Sequence, residues 1–261
     1  MTAPTKGSRN ELYSFLVEEY DHPFKGWDFS YITGTGRMSE GPRKWSYGSI
    51  VLSRIRQSSA LLDIATGGGE LLASFSPLPR VTCATESYKP NVPIARERLK
   101  PLGVEVFETG ENGLLPFNDE KFDLVIDRHE SYSPSEVFRV LRPGGWFVTQ
   151  QVGDKNDIDL RKLLGATRFK PNPWNLKLAA DQLKKSGFVI VSRRQGYHKT
   201  RYFDLGALVY HLKAVPWIIP DFSVRRYFPV LTKLNSVVER DGYLEVRNHR
   251  FLVVAVKPCF D

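Results

Sequence analysis

The chain has 261 residues, of which 41% are hydrophobic and 25% are charged, as is usual for a globular protein with a sizeable core. It contains no run of about 18 apolar residues that would predict a membrane span. Its first residues lack the apolar segment of a secretory signal, so we expect a cytoplasmic protein without a membrane partner.

The net charge of +8 is concentrated in the second half, where residues 155–261 hold 20 Lys and Arg against 9 Asp and Glu. A basic half favours an anionic partner, either a small carboxylate or phosphate or a nucleic acid, although a solvated basic surface explains it equally well. The two cysteines, Cys83 and Cys259, form neither a disulfide framework nor a zinc cluster, and we expect no metal.

The chain opens with a helix signal. Ser8 and Glu11 have the spacing of a capping box, and the apolar stripe that follows predicts a helix to about Asp21. Residues 24–48 are an irregular stretch rich in aromatics and glycine, and a short helix is predicted over 50–56.

From residue 60, apolar runs of strand length alternate with helical stretches. Strands are predicted over 61–65, 81–85, 104–107, 122–126, 146–152, 188–192 and 251–256, and helices over 70–75, 91–99, 133–141 and 176–186. Strands that are apolar on both faces and separated by helices indicate a doubly wound α/β fold with a mostly parallel sheet. Residues 197–241 are predicted to form a mostly helical insertion rich in aromatics.

The strongest functional motif is a glycine-rich turn after the first buried strand, Gly67-Gly68-Gly69, which leads into a helix. Glycines let a ligand approach the backbone, and a helix start offers free N–H donors, so this turn predicts a nucleotide-type cleft. A tight turn without a ligand is the alternative. A dinucleotide fingerprint beginning at Gly67 and Gly69 would need a small residue where Leu72 stands, which argues against a dehydrogenase.

A carboxylate ends the next strand, at Glu86, about twenty residues after the glycine turn. An acidic residue in that place can accept both hydroxyls of a ribose. Alone it would more often be a solvated loop charge, but after the glycine turn it predicts nucleoside binding.

These residues resemble the class I S-adenosylmethionine (SAM)-dependent methyltransferases over about residues 60–152. Asp63 to Gly69 resembles the first motif of that family, with Ala65 where glycine is usual, and Glu86 matches its ribose-binding acid. Residues 111–117 resemble the adenine-side motif, with Glu111 in place of the usual Asp. Residues 122–127 resemble its fourth strand, and 136–145 resemble the helix and turn before the fifth.

The resemblance implies a seven-stranded sheet whose last strand, 251–256, is antiparallel, with SAM as cofactor and S-adenosylhomocysteine as product. It also implies helical lid segments. We therefore expect an N-terminal helix and aromatic lid over 1–56 and a methyltransferase domain over 57–261, with a substrate cap at about 197–241. The cofactor-binding residues that it implies are Asp63, Ala65, Thr66, Gly67, Gly69, Glu86, Glu111, Asn112 and Arg128.

Candidate catalytic and substrate residues surround this cleft. His129 follows the fourth strand and can accept a proton near pH 7, although it could equally orient or pack; Glu130 could assist it or cap the next helix. Aromatics in irregular segments suit a flat or apolar acceptor, but they are also common core residues. The expected substrate-binding residues are Arg37, Trp45, Tyr47, Gln150, Tyr202 and Tyr210.

We expect transfer of a methyl group by in-line displacement to a small organic acceptor, aromatic or anionic. The alternative is methylation of ribosomal RNA, because the second half is basic and residues 143–146 are similar to those of ribosomal RNA guanine methyltransferases. Those enzymes often carry a cysteine zinc module, which this chain lacks. A third interpretation is a SAM-binding protein without catalysis.

Overall fold

The computed structural model describes residues 8–25, 27–110, 113–166 and 173–259. The chain divides into two compact units. The smaller unit comprises the described parts of Met1–Arg43, Lys155–Pro171 and Tyr197–His249. The larger unit comprises those of Lys44–Asp154, Asn172–Gly196 and Arg250–Asp261. The domain boundaries expected from the sequence stay a prediction.

The helices and strands alternate through most of the chain. The helices are α1 (Arg9–Asp21), α2 (Ser30–Thr33), α3 (Tyr47–Ile55), α4 (Glu70–Ala73), α5 (Asn91–Leu99), α6 (Pro134–Val140), α7 (Ile158–Leu163), α8 (Leu176–Lys185), α9 (Leu205–Ala214) and α10 (Val224–Asp241). The strands are β1 (Met38–Glu40), β2 (Ala60–Ile64), β3 (Val81–Glu86), β4 (Glu105–Glu108), β5 (Phe122–Arg128), β6 (Leu141–Val152), β7 (Val189–Tyr202) and β8 (Leu244–Val256). Within the described ranges, no helix is both long enough and apolar enough to cross a bilayer.

The sheet has the topology of a doubly wound fold. Its strand order is β1-β7-β8-β6-β5-β2-β3-β4. Strands β4, β3, β2, β5 and β6 are parallel to one another, and β8 runs antiparallel to β6. The predicted fold class and the antiparallel last strand are confirmed. The chain order reverses between β2 and β5, and such a switch point opens a crevice at the carboxyl ends of the strands.

The core of the larger unit covers both faces of the central strands. Leu62 and Val125 belong to the hydrophobic cluster on one face, and Leu61 and Leu124 to the cluster on the other. Because adjacent residues of a strand point to opposite faces, an uninterrupted apolar run is what a doubly covered strand requires. The sequence pattern predicted these strands for that reason.

The smaller unit is built on α1, α9 and α10, which share one hydrophobic cluster. The predicted capping box of α1 is present: the hydroxyl of Ser8 accepts from the backbone N–H of Glu11 at 3.3 Å, and the carboxylate of Glu11 accepts from the N–H of Ser8 at 2.5 Å. Helix α9 is buried along almost its whole length, so this unit has a core of its own.

Several sequence expectations need correction. The stretch 24–48 is not wholly irregular, since it contains α2 and β1, and β1 adds an eighth strand to the expected seven. Residues 197–202 continue β7 instead of starting a helical insertion, and β8 begins at Leu244 rather than 251. Helix α7 was not predicted. The sequence pattern missed the second half of β7 because its alternately buried positions include the polar residues His198 and Thr200.

Arg37, an expected substrate residue, has ion-pair partners inside the smaller unit. Its guanidinium donates to both carboxylate oxygens of Asp204, at 2.8 and 2.7 Å, and lies 2.8 Å from a carboxylate oxygen of Glu19. Asp204 also caps α9, because it accepts from the N–H of Ala207 at 2.8 Å. Since Glu19 and Asp204 are both buried, Arg37 neutralises two carboxylates that burial would otherwise destabilise.

We predict that Arg37→Met lowers the free energy of unfolding by about 3 kcal/mol, because it leaves two buried carboxylates without a cation. Urea denaturation measures the effect. Arg240→Met is the matched control, since among the described residues Arg240 forms an ion pair with its exposed neighbour Asp241, and it should change stability little. Equal stability of Arg37→Met and the wild type would contradict this structural role.

Candidate functional site

The glycine turn between β2 and α4 adopts backbone conformations that favour glycine. Gly67 and Gly69 have φ of +64° and +83°, and a Cβ atom on Gly69 would lie 2.8 Å from Cγ of Leu99. Ala65 has φ of +53°, a left-handed conformation that costs alanine more than glycine. This explains why glycine is usual at that position of the motif.

Thr85, at the end of β3, holds the turn in place. Its hydroxyl accepts from the N–H of Ala65 at 3.2 Å, and its carbonyl accepts from the N–H of Thr66 at 2.8 Å. No motif of the sequence pointed to Thr85 as a functional residue. Its role follows from the parallel pairing of β2 with β3.

Glu86 lies directly against the turn. Its carboxylate accepts from the N–H of Gly67 and from the N–H of Tyr88, each at 2.7 Å. Burial raises the pKa of Glu86 above its usual value, and these two backbone donors counteract part of the rise. The structure therefore brings together the two predicted halves of the nucleoside site.

Asp63 and Asp127 end the neighbouring strands β2 and β5. The side chains of Asp63, Glu86 and Asp127 are 8%, 4% and 0% exposed. The pKa of Asp63 is raised to about 7, mainly by burial; the charge of Glu86 also raises it, whereas the Thr66 hydroxyl and the charge of Arg128 lower it. Burial likewise raises the pKa of Asp127 well above its usual range. Its carboxylate accepts from the Thr149 hydroxyl at 2.8 Å and from the Gln151 amide.

Asp127 is the residue of this cluster that the sequence reasoning missed. A signal was present, because an acidic residue closes the otherwise apolar strand β5 beside Asp63. Because burial raises the pKa values of these three carboxyl groups at one edge of the sheet, a cation bound beside them would favour their ionised, negatively charged form. Such an edge attracts a cationic ligand and repels a diphosphate, so it suits a positively charged nucleoside better than a dinucleotide.

His129 follows β5 in a left-handed conformation with φ of +71°. Its N–H donates to the carbonyl of Gln150 at 2.8 Å, and its Nε2 lies 3.1 Å from the amide nitrogen of Gln150. The Gln150 oxygen accepts from the indole N–H of Trp45 at 2.9 Å. Trp45 and Gln150, which were expected to bind substrate, are therefore buried partners of His129.

The other residues around the end of β5 stabilise its backbone. The hydroxyl of Tyr47 donates to the carbonyl of Asp127 at 3.2 Å, and the carbonyl of Glu130 accepts from the Gln151 amide at 2.9 Å. The carboxylate of Glu130 accepts from the N–H of Ser131 at 2.8 Å. It does not cap the next helix, α6, because the N-cap there is Ser133, whose hydroxyl accepts from the N–H of Glu136. Arg128 is exposed.

The remaining expected residues lie elsewhere. Tyr202 and Tyr210 belong to the hydrophobic cluster of the smaller unit. The Tyr202 hydroxyl lies 2.5 Å from Nδ1 of His211, and the Tyr210 hydroxyl lies 3.4 Å from the carbonyl of Pro23. Their contact with substrate, like that of Arg37, stays a prediction. Glu111 and Asn112 lie outside the described residues.

Known proteins match the part of the chain that forms this site. Residues 62–149 match the model of a family described as "Methyltransferase domain". The chain is similar to the ubiquinone/menaquinone biosynthesis C-methyltransferase UbiE of Pseudomonas entomophila (strain L48) and of Pseudomonas fluorescens (strain Pf0-1). Each is 28% identical over 166 residues, which cover 58% of this chain and 64% of the relative. The match thus spans less than two thirds of these relatives.

Solved structures share the fold. A functionally unknown protein from Deinococcus radiodurans R1 has a TM-score of 0.57 at 17% identity, covering 95% of this chain and 98% of its own. The YcgJ protein from Bacillus subtilis has a TM-score of 0.55 at 16% identity, and the match covers 82% of this chain and 99% of that protein. The [4+2]-cyclase SpnF has a TM-score of 0.54 at 16% identity, and the match covers 100% of this chain and 98% of that protein. At these identities the likeness concerns the fold alone.

The larger unit has the features of a Rossmann-like fold that binds nucleosides. These are a doubly wound sheet, a glycine turn at its switch point and an acid at the end of the next strand. Residues 62–149 match a methyltransferase domain family, and this part of the chain thus resembles the class I SAM-dependent methyltransferases, whose methyl donor is S-adenosylmethionine. The resemblance stated from the sequence is confirmed.

The raised pKa of Asp63 predicts a pH dependence of stability. A carboxyl whose pKa is higher in the folded than in the unfolded state stabilises the fold most below pH 4, and this contribution is lost as the pH rises to about 7. The stability of the wild type minus that of Asp63→Asn should therefore fall by up to about 1.4 kcal/mol per pH unit between pH 5 and 7 and then level off.

Urea denaturation of both proteins from pH 5 to 8 measures this difference. Asp119→Asn, which changes a carboxylate exposed beside Arg139, is the control and should give no such slope. A stability difference between the wild type and Asp63→Asn that does not depend on pH would show that Asp63 is not the group responsible.

Proposed function

We propose that this chain transfers the methyl group of S-adenosylmethionine to a small organic acceptor by in-line displacement. The observation that carries the proposal is the contact of the Glu86 carboxylate with the N–H of Gly67 at 2.7 Å. It joins the acid that would bind the ribose to the turn that would face the amino-acid part of the cofactor.

The charge of the site supports this cofactor. SAM carries a sulfonium and an ammonium group, and Asp63, Glu86 and Asp127 supply buried carboxylates at the same edge of the sheet. The glycine turn (Thr66, Gly67 and Gly69, with Ala65) would approach the methionine part, together with the backbone of Arg128. Glu111 and Asn112 would contact the adenine, as the family resemblance implies.

When bound, SAM supplies a methyl group that is already electrophilic, so the protein need only hold the acceptor in line and exclude water. A general base is needed only for an acceptor that is protonated at neutral pH. We propose that His129 contributes to turnover from its position at the end of β5, with Glu130 beside it.

For the acceptor we propose an aromatic compound. The similar proteins of Pseudomonas are named as C-methyltransferases of ubiquinone and menaquinone biosynthesis, and a quinone precursor of that kind has an electron-rich ring. Within the larger unit, Trp45 and Tyr47 remain candidates for its surroundings, and Gln150 would act through His129. A substrate contact of Arg37, Tyr202 or Tyr210, which belong to the smaller unit, is a separate prediction.

Two other functions are outcomes of the tests below. RNA methylation is favoured by the basic second half, and it would appear as tight RNA binding that weakens steeply with salt in a filter assay. SAM binding without methyl transfer is the other, because the glycine turn and Glu86 favour cofactor binding and do not by themselves require turnover. It would appear as cofactor binding with no methylated product from any acceptor.

Cofactor binding is the first test. Calorimetry should show that the protein binds both SAM and S-adenosylhomocysteine, and that Glu86→Gln weakens binding of each by about 10- to 100-fold, since it removes charge-assisted hydrogen bonds. Glu97→Gln, on an exposed position of α5, is the matched control and should bind like the wild type. No binding of SAM by the folded wild type would refute the proposal.

Turnover is the second test. With a panel of phenolic and quinol acceptors, mass spectrometry should detect a product heavier by one methyl group. His129→Ala should lower kcat by at least about tenfold, while His22→Ala, a histidine of the smaller unit, should not. A rate in His129→Ala equal to that of the wild type would remove His129 from the mechanism.

A further inference from the structure

A chain of three polar side chains runs through the larger unit and ends at His129. The indole N–H of Trp45 donates to the side-chain oxygen of Gln150 at 2.9 Å. The amide nitrogen of the same glutamine lies 3.1 Å from Nε2 of His129. Both ends of one amide group are thus engaged.

The chemistry of these groups determines which atom donates each hydrogen bond and which accepts it. An indole N–H can only donate, so the atom of Gln150 that faces Trp45 must be the oxygen. The atom that faces His129 is then the amide nitrogen, which also can only donate. Nε2 of His129 must therefore accept, and it does so only when it carries no proton. In the neutral imidazole the proton then resides on Nδ1.

Burial makes this arrangement stringent. Gln150 is 1% exposed and Trp45 is 7% exposed, so water hardly reaches the contact between them, and His129 is half-buried. Rotating the amide by half a turn would set its NH2 group against the indole N–H. A proton on Nε2 would set an N–H against the same NH2 group. Each alternative leaves buried donors unsatisfied, which destabilises a protein by about 1–3 kcal/mol.

We propose that Trp45 and Gln150 are positioning residues that hold His129 as the neutral tautomer with its proton on Nδ1. His129 then presents a hydrogen-bond donor at Nδ1 and has its Nε2 lone pair already engaged. The statement about the tautomer is independent of the proposed function. Its bearing on the methyl acceptor rests on that function.

The consequence for the reaction concerns the proton of the acceptor. While the contact with Gln150 persists, Nε2 of His129 cannot take a proton from a hydroxyl or a ring carbon. His129 would then assist as a neutral donor that stabilises negative charge on an oxygen of the acceptor. This favours an acceptor that reacts as an anion, such as a phenolate, over one that must lose its proton to this histidine.

The experiment is ¹⁵N NMR of the histidine side chains in the ligand-free protein at neutral pH, which distinguishes protonated from unprotonated ring nitrogens. The chain has five histidines, and the signals absent from His129→Gln identify those of His129. In the wild type we expect an unprotonated Nε2 and a protonated Nδ1. A protonated Nε2 would overturn the proposal.

Two variants test the cause. Gln150→Glu replaces the donor with an acceptor, so Nε2 of His129 should become protonated. Trp45→Phe keeps an aromatic ring but removes the indole N–H that orients the amide, so a mixture of tautomers should appear. Trp146→Phe, a matched change on β6 outside this chain of contacts, should leave the wild-type tautomer. An unchanged His129 spectrum in Trp45→Phe would overturn the role of Trp45 even if Gln150→Glu does not fold.

These spectra need neither cofactor nor acceptor, so they separate the two proposals. The predicted tautomer in a protein that binds no SAM would sustain this inference and refute the proposed function. Methyl transfer by a protein whose His129 carries its proton on Nε2 would refute this inference and support the proposed function.

Discussion

The hydrogen bond between the N–H of Gly67 and the carboxylate of Glu86 connects the glycine turn to the end of β3. This contact is possible because β2 and β3 are parallel, which brings the residues after both strands to the same edge of the sheet. Thr85 adds two hydrogen bonds to the same turn. The turn is therefore fixed by the neighbouring strand, and its left-handed residues are held in place by these bonds. A site formed in this way has little conformational freedom left to lose when a ligand binds.

The same edge of the sheet is electrostatically unfavourable to the folded protein. Asp63, Glu86 and Asp127 all have raised pKa values, and burial is the largest cause for each. Elsewhere the protein neutralises buried carboxylates, as Arg37 does for Glu19 and Asp204. At the strand ends the Thr66 hydroxyl and the exposed Arg128 oppose the rise in the pKa of Asp63, and burial still dominates. Local destabilisation of this kind is characteristic of functional sites, where a ligand of opposite charge recovers part of the cost.

The sequence predicted those features that depend on local pattern. The apolar runs predicted the central strands, because both faces of these strands are covered, and the spacing of Gly67 and Glu86 predicted their meeting. The pattern did not predict features that depend on distant partners. Arg37 is a residue type that often binds substrates. Its ion-pair partners, Glu19 and Asp204, lie on other segments of the chain. The sequence predicted a substrate contact for Tyr202. It does not show that β7 extends to this residue and buries it.

Gln150 shows most clearly why residue type alone does not define a role. A polar residue at the carboxyl end of a strand is a reasonable candidate for substrate binding, and the sequence offers no reason to choose otherwise. Its role depends on the indole of Trp45, 105 positions away in the chain. Because that N–H cannot accept, it determines which end of the amide faces His129, and the amide in turn determines where the imidazole carries its proton. The protonation state of the candidate catalytic histidine thus follows from a tryptophan in the segment before α3, through contacts that only the folded chain brings together.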